Sequence, residues 1–171
     1  VFGTEADDSN RGWRCEYWGK LMRGACFICA YTQDSELYSI LEEGVRELLA
    51  RQDADGRITT YSRECEFSGW DMWGRKYVLL GLQYFSEICS DEALLADIRT
   101  AMCRHADHIM AHVGRYGIPI NETSGHWMGI NSMSILEPFV RLYNLTGEQK
   151  YLDYAAYIVD IGENGEAPIF R

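Results

Sequence analysis

Apolar residues recur along this chain at three- and four-residue spacing, the period of a helix with one buried face. From Trp73 to Ile88 the stripe is Tyr77, Leu80, Tyr84 and Ile88, and after a polar break it resumes as Leu94, Ile98, Met102, His105 and Ile109. The break, Cys89-Ser90-Asp91-Glu92, supplies a helix N-cap in Ser90 or Asp91. This pattern predicts a helical hairpin. Equivalent patterns predict helices near 15–31 and 35–51, and near 132–145 and 148–160. Period-two alternation, the mark of a strand, is weakly present only from Arg57 to Tyr61.

The hairpins repeat. Trp13, Trp70 and Trp127 lie 57 residues apart, and the same offset aligns Leu21 with Val78 and Ile135, and Ile28 with Phe85 and Leu142. Gly24, Gly81 and Pro138 also share a register inside the first helix of each unit, which suggests close packing or a kink at that level. Turns within hairpins are short, whereas the links 53–69 and 114–130 are long. Long links in a compact domain usually carry function. Antiparallel geometry gathers both links, the stretch Val1–Trp13 and the tail Gly162–Arg171 at one end.

The expected architecture is therefore all-α: three hairpins, near 13–52, 70–113 and 127–161, forming half of an (α/α)6 toroid. Closing such a ring takes twice this length. The chain is thus expected to meet the rest of a longer polypeptide, or to self-associate through its two open edges.

Composition narrows the function. Twenty-six acidic residues against 16 Lys and Arg give a net charge of −10 in 171 residues, which argues against a nucleic-acid partner. No run approaches the roughly 18 apolar residues of a membrane span. No secretory apolar segment follows Val1, and location stays open. Six cysteines (Cys15, Cys26, Cys29, Cys65, Cys89 and Cys103) fall largely within apolar helical patterns, as free thiols would.

The link end concentrates candidate chemistry. Five tryptophans fall there: Trp13, Trp18, Trp70, Trp73 and Trp127. An indole face stacks on the C–H face of a sugar while polar neighbours take the hydroxyls. Trp18 and Trp73, in first helical turns beside charges, are the better stacking candidates. Trp70 and Trp127 also suit capping the core. Glu16, Glu66 and Asp71 are candidate catalytic carboxylates, since glycoside cleavage uses two in unlike environments. Asp71 and Glu16 also suit the helix dipole. Arg57 and Arg75 would bind substrate oxygens or pair with these acids. His126 stands in the second link. Cys26-x-x-Cys29 lacks the second ligand pair of a zinc site, so no metal is expected in this chain.

Three stretches carry a family resemblance: Asp55-Gly56-Arg57-Ile58, residues 70–81 (with Trp70, Asp71, Trp73 and Arg75), and 131–157. They resemble the β-L-arabinofuranosidase-like glycoside hydrolases, glycoside hydrolase family 127. The resemblance covers most of the chain. It implies the N-terminal half of an (α/α)6 catalytic barrel and hydrolysis of a plant-type or related glycan. This chain would form one wall of the sugar pocket. It also implies a zinc–thiolate cluster with a nucleophilic Cys and a nearby Glu in the later half of the barrel; none of the six cysteines here matches that motif. The alternatives are a sugar lyase or isomerase on the same toroid, and a non-catalytic helical scaffold.

Overall fold

A computed structural model describes residues 6–8 and 13–164. The remainder of Val1–Trp13 and of the tail 162–171, both expected at the link end, lies outside the described residues. The first hairpin is α1 (Arg14–Thr32) and α2 (Ser35–Leu49); the second is α3 (Asp71–Ser86) and α4 (Glu92–His112). The third is α5 (Ile130–Met133), α6 (Leu136–Thr146) and α7 (Gln149–Asn164). No strand forms among the described residues; the segment from Arg57 to Tyr61 is irregular.

Two hairpin turns are built alike. Asp34 accepts from the backbone N–H of Glu36 and Leu37 at 2.9 and 3.0 Å. Asp91 does the same for Ala93 and Leu94 at 2.9 and 3.2 Å. Each carboxylate satisfies N–H groups that a helix start leaves open. The helix expected over 132–145 is divided at Ser134–Ile135. Pro138 explains the break, because it has no N–H to give the Ser134 carbonyl and its ring crowds that group.

α1, α3 and α5–α6 form one layer, backed by α2, α4 and α7. Val78, Leu82 and Phe85 of α3, Ile98 and Met102 of α4, and Phe139 and Leu142 of α6 are fully buried between them. The closest approach joins α1 to α3. A Cβ on Gly81 would lie 2.5 Å from the Trp18 ring and 3.2 Å from Gly19 Cα. Gly24, in the same sequence register as Gly81, faces open space. Close packing thus uses Gly19, one turn earlier than the repeat suggests.

The repeat also predicts burial, and its failure marks an edge. Val78 and Ile135 are 0% exposed, but their equivalent Leu21 is 71% exposed. Phe85 and Leu142 are 0% exposed, and their equivalent Ile28 is 57% exposed. Tyr17, Leu21, Ile28 and Tyr31 recur at helical spacing, so α1 presents an apolar strip where a further inner helix would pack. No described helix is long and apolar enough to cross a membrane.

Candidate functional site

The two links converge over the N-termini of α1, α3 and α5. The first lies down on α4. Gln52 Nε2 donates to the carbonyls of Gly56 and Ala101, and Arg104 donates to those of Asp53 and Ala54. Gly56 takes a positive φ of 92° there, and a Cβ on it would strike the Arg104 carbonyl at 2.4 Å. In the second link, the Ile120 N–H donates to the buried Tyr157 hydroxyl at 3.0 Å. Asn131 Nδ2 reaches the Gly69 carbonyl at 3.5 Å, joining the two links.

Beneath this rim lies a buried polar layer. Arg75 is 0% exposed; its Nε donates to Asp71 Oδ2 at 2.9 Å and its Nη2 to Glu66 Oε1 at 2.5 Å. Asp71, also 0% exposed, accepts from the Thr59 hydroxyl at 2.5 Å and from the Phe67 N–H at 2.9 Å. Glu66 further accepts from His108 Nε2 at 2.8 Å and pairs with Arg57 Nε at 3.0 Å. Burial pushes the Glu66 carboxyl up, but Arg75, His108 and Arg57 together outweigh it and hold it below the ordinary glutamate value. Arg57 also donates to the Tyr61 carbonyl and pairs with Asp53. Phe67, held at a φ of 57°, is enclosed by the Arg75 guanidinium on one side and the His108 and His112 rings on another.

Above that layer stands an aromatic cluster. Trp70 is stacked on His126, with centroids 5.4 Å apart and planes at 22°. Its edge meets Trp127 at 5.4 Å and Trp73 at 6.0 Å. Trp73 in turn meets Tyr77 at 5.2 Å. Trp127 is 64% exposed. It begins a left-handed turn in which Trp127, Met128 and Gly129 have φ of 48°, 54° and 79°. Only Gly adopts that backbone freely, so Trp127 and Met128 hold strained conformations of the kind that cluster at functional sites.

The sequence candidates therefore divide. Trp70, Trp73, His126 and Trp127 come together at the rim. Asp71, Glu66, Arg57 and Arg75 come together beneath it, engaged with one another. Glu16 is bound to Lys20 at 2.5 Å, one turn along α1, and Lys20 lies over the Tyr77 ring. Trp18, expected at the rim, is packed between α1 and α3 against Gly81, because the small residue there admits the indole. His108 is a member of the polar layer that spacing did not single out: its partner Glu66 is 42 residues away.

The cysteines are free and dispersed. Burial pushes Cys15 up to about 11 and Cys26 up to about 12, so both remain thiols at neutral pH. Among the described residues no three His, Cys, Asp or Glu are placed to hold a metal ion. A zinc–thiolate cluster does not fit the residues present.

Residues 3–164 match the family described as β-L-arabinofuranosidase, GH127 catalytic domain. The chain belongs to that family of glycoside hydrolases, and its hairpins are part of an (α/α)6 toroid. A solved structure titled "The GH127, Beta-arabinofuranosidase, BT3674" is similar at a TM-score of 0.66 and 16% identity over 89% of this chain. The chain spans 26% of the length of that structure. No curated protein matches it in sequence.

Proposed function

We propose that this chain forms one wall and part of the rim of the sugar pocket in a β-L-arabinofuranosidase-like glycoside hydrolase. The observation that carries this reading is the exposed indole of Trp127, beside the stacked Trp70–His126 pair on a strained turn. A flat apolar face flanked by polar groups is the surface a sugar ring stacks on. The family to which the chain belongs, and the carbohydrate substrates that glycoside hydrolases take, support the same conclusion.

In this reading Asp71 and Glu66 are positioning groups. Their oxygens are engaged by Arg75, Thr59, His108 and Arg57, and the network fixes the link that leads into Trp70. Bond cleavage then draws its reacting groups from elsewhere in the assembled barrel, and the α1 strip is covered by the remaining hairpins.

The test is hydrolysis of a p-nitrophenyl β-L-arabinofuranoside by the intact protein, compared with its Trp127→Ala variant. Losing a stacking face raises KM about tenfold, equivalent to roughly 1.4 kcal/mol, with the melting temperature unchanged. An unchanged KM would remove Trp127 from the pocket. Absence of hydrolysis, together with release of an unsaturated product absorbing in the ultraviolet from a uronate-containing glycan, would replace hydrolase by lyase.

A further inference from the structure

Most of α3 is occupied by neighbours. Asp71, Val78 and Leu82 are fully buried, Gly74 and Gly81 face α1, and Gln83 donates to the Pro138 carbonyl of α6 at 2.9 Å. The remaining side carries Trp73, Lys76, Tyr77 and Tyr84 at helical spacing. It is flanked by Lys20, Arg23 and Phe27 from α1, and by Glu137 and Arg141 from α6. This face runs down from the aromatic rim.

The cations on this face are not equivalent. Lys20 is neutralised by Glu16 at 2.5 Å. Arg141 is neutralised by Glu137 at 3.1 Å and Glu87 at 3.3 Å. Lys76 is half-buried, with its ammonium 4.5 Å from the Trp73 centroid and 5.0 Å from that of Tyr77. Among the described residues no carboxylate lies within ion-pair reach of it. Arg23 is exposed, 5.4 Å over the Tyr84 ring and 6.0 Å over Phe27, with no carboxylate in ion-pair reach among the described residues.

A half-buried cation held over two rings without an ion-pair partner, on a chain with a net charge of −10, needs an explanation, and the exposed Arg23 adds positive charge near it. Ring faces compensate a desolvated ammonium only partly; an anion brought by a ligand gains from the low-dielectric surroundings. Burial holds the Lys76 ammonium below the ordinary lysine value, and the more distant carboxylates of Glu137 and Glu16 offset that only in part.

We propose that Lys76, with Arg23 further down the wall, binds the carboxylate of an acidic sugar, so that the glycan recognised carries a uronate-type residue facing α3. The apolar face of that sugar lies toward Trp73 and Tyr77, and its carboxylate accepts from the Lys76 ammonium. This rests on the pocket-wall reading above and specifies its ligand.

The test titrates the chain with D-galacturonate and D-glucuronate against D-galactose and D-glucose, following the lysine Cε resonances by NMR. The uronates are expected to shift the Lys76 resonance and to bind at least tenfold more tightly than their neutral parents. In Lys76→Met, whose apolar stem keeps the contacts with Trp73 and Tyr77, uronate affinity falls to that of the neutral sugar. Lys76→Gln gives the same result if packing is not the cause. Equal binding of acidic and neutral sugars by the native chain overturns this proposal and leaves the pocket wall standing. A uronate preference that survives in Lys76→Met overturns it as well. Failure of all four sugars to bind overturns this proposal, and the arabinofuranoside assay above decides the pocket-wall reading separately.

Discussion

A methyl group placed on Gly19 would sit 2.1 Å from the carbonyl oxygen of Tyr77. Main chain therefore touches main chain where α1 crosses α3, and no side chain can move aside to make room. Gly19→Ala is expected to destabilise the chain by about 3 kcal/mol, at the upper end of overpacking costs. Gly24→Ala, five residues along in open space, is expected to stabilise it by about 0.5 kcal/mol through helix propensity. Thermal melts of the two variants provide the comparison. Similar losses in both would mean that the α1–α3 contact is misplaced.

Removal of Arg75 strips the fully buried Asp71 of its cation and Glu66 of one of its partners. Arg75→Met keeps the volume and stem but leaves two carboxylates in a buried layer. The expected cost is about 3–5 kcal/mol, the usual result of orphaning a buried charge. Urea unfolding measures it. Arg75→Met combined with Asp71→Asn should recover part of the loss, because one unpaired charge is then gone. No recovery would show that the two residues are not energetically coupled.

Acid should weaken the fold in two stages. Burial, reinforced by Arg75 and His108, holds His105 well below 6.5. Below that pH the unfolded chain binds a proton that folded His105 refuses, so stability falls as pH falls. Glu66, held below 4.5 in the fold, adds a second loss: its stabilisation is present above 4.5 and disappears as pH drops through its lower folded value. Urea midpoints between about pH 8 and pH 3 follow both stages. His105→Gln should flatten the upper stage and spare the lower. An upper stage unaltered by that substitution would assign it to another group.

The α1 strip makes its own prediction. Leu21 and Ile28 are exposed while their counterparts in the other hairpins are fully buried. In isolation the chain should associate through this edge, and the double variant Leu21→Lys, Ile28→Lys should sediment as a monomer. Native mass measurement or analytical ultracentrifugation decides the matter. A native chain that is already monomeric at high concentration would show that the strip does not drive association.

The hairpins were readable because helical periodicity and the 57-residue tryptophan spacing reinforce each other, and because Asp34 and Asp91 are local caps that act within three residues. The division of α5 from α6 was signalled by Pro138, whose register with Gly24 and Gly81 suggested close packing or a kink. The polar layer was only half legible. Arg75 and Asp71 lie one helical turn apart, so their pairing could be anticipated; Glu66 and His108 meet across 42 residues, and nothing local announces it. Trp18 and Trp73 look alike in sequence, each early in a helix beside charges. What separates them is the glycine opposite, Gly81, which lets the Trp18 indole sink between two helices. The left-handed turn at Trp127 and Met128 was invisible, because neither residue type favours positive φ.

The turns at Gln33–Asp34, Ser90–Asp91 and Gly147 stand at the pole opposite the rim and contribute nothing to it. Insertions there leave the aromatic cluster untouched, whereas altered lengths in 53–69 disturb the buried layer that Thr59, Glu66 and Phe67 share with Asp71, Arg75 and His108. The two poles thus divide the labour: the short turns tolerate change, while the long links tie ligand choice to the buried layer that seats the helices. A peptide tag grafted at Gly147 would be a harmless handle; the same tag at Gly125 would blind the rim.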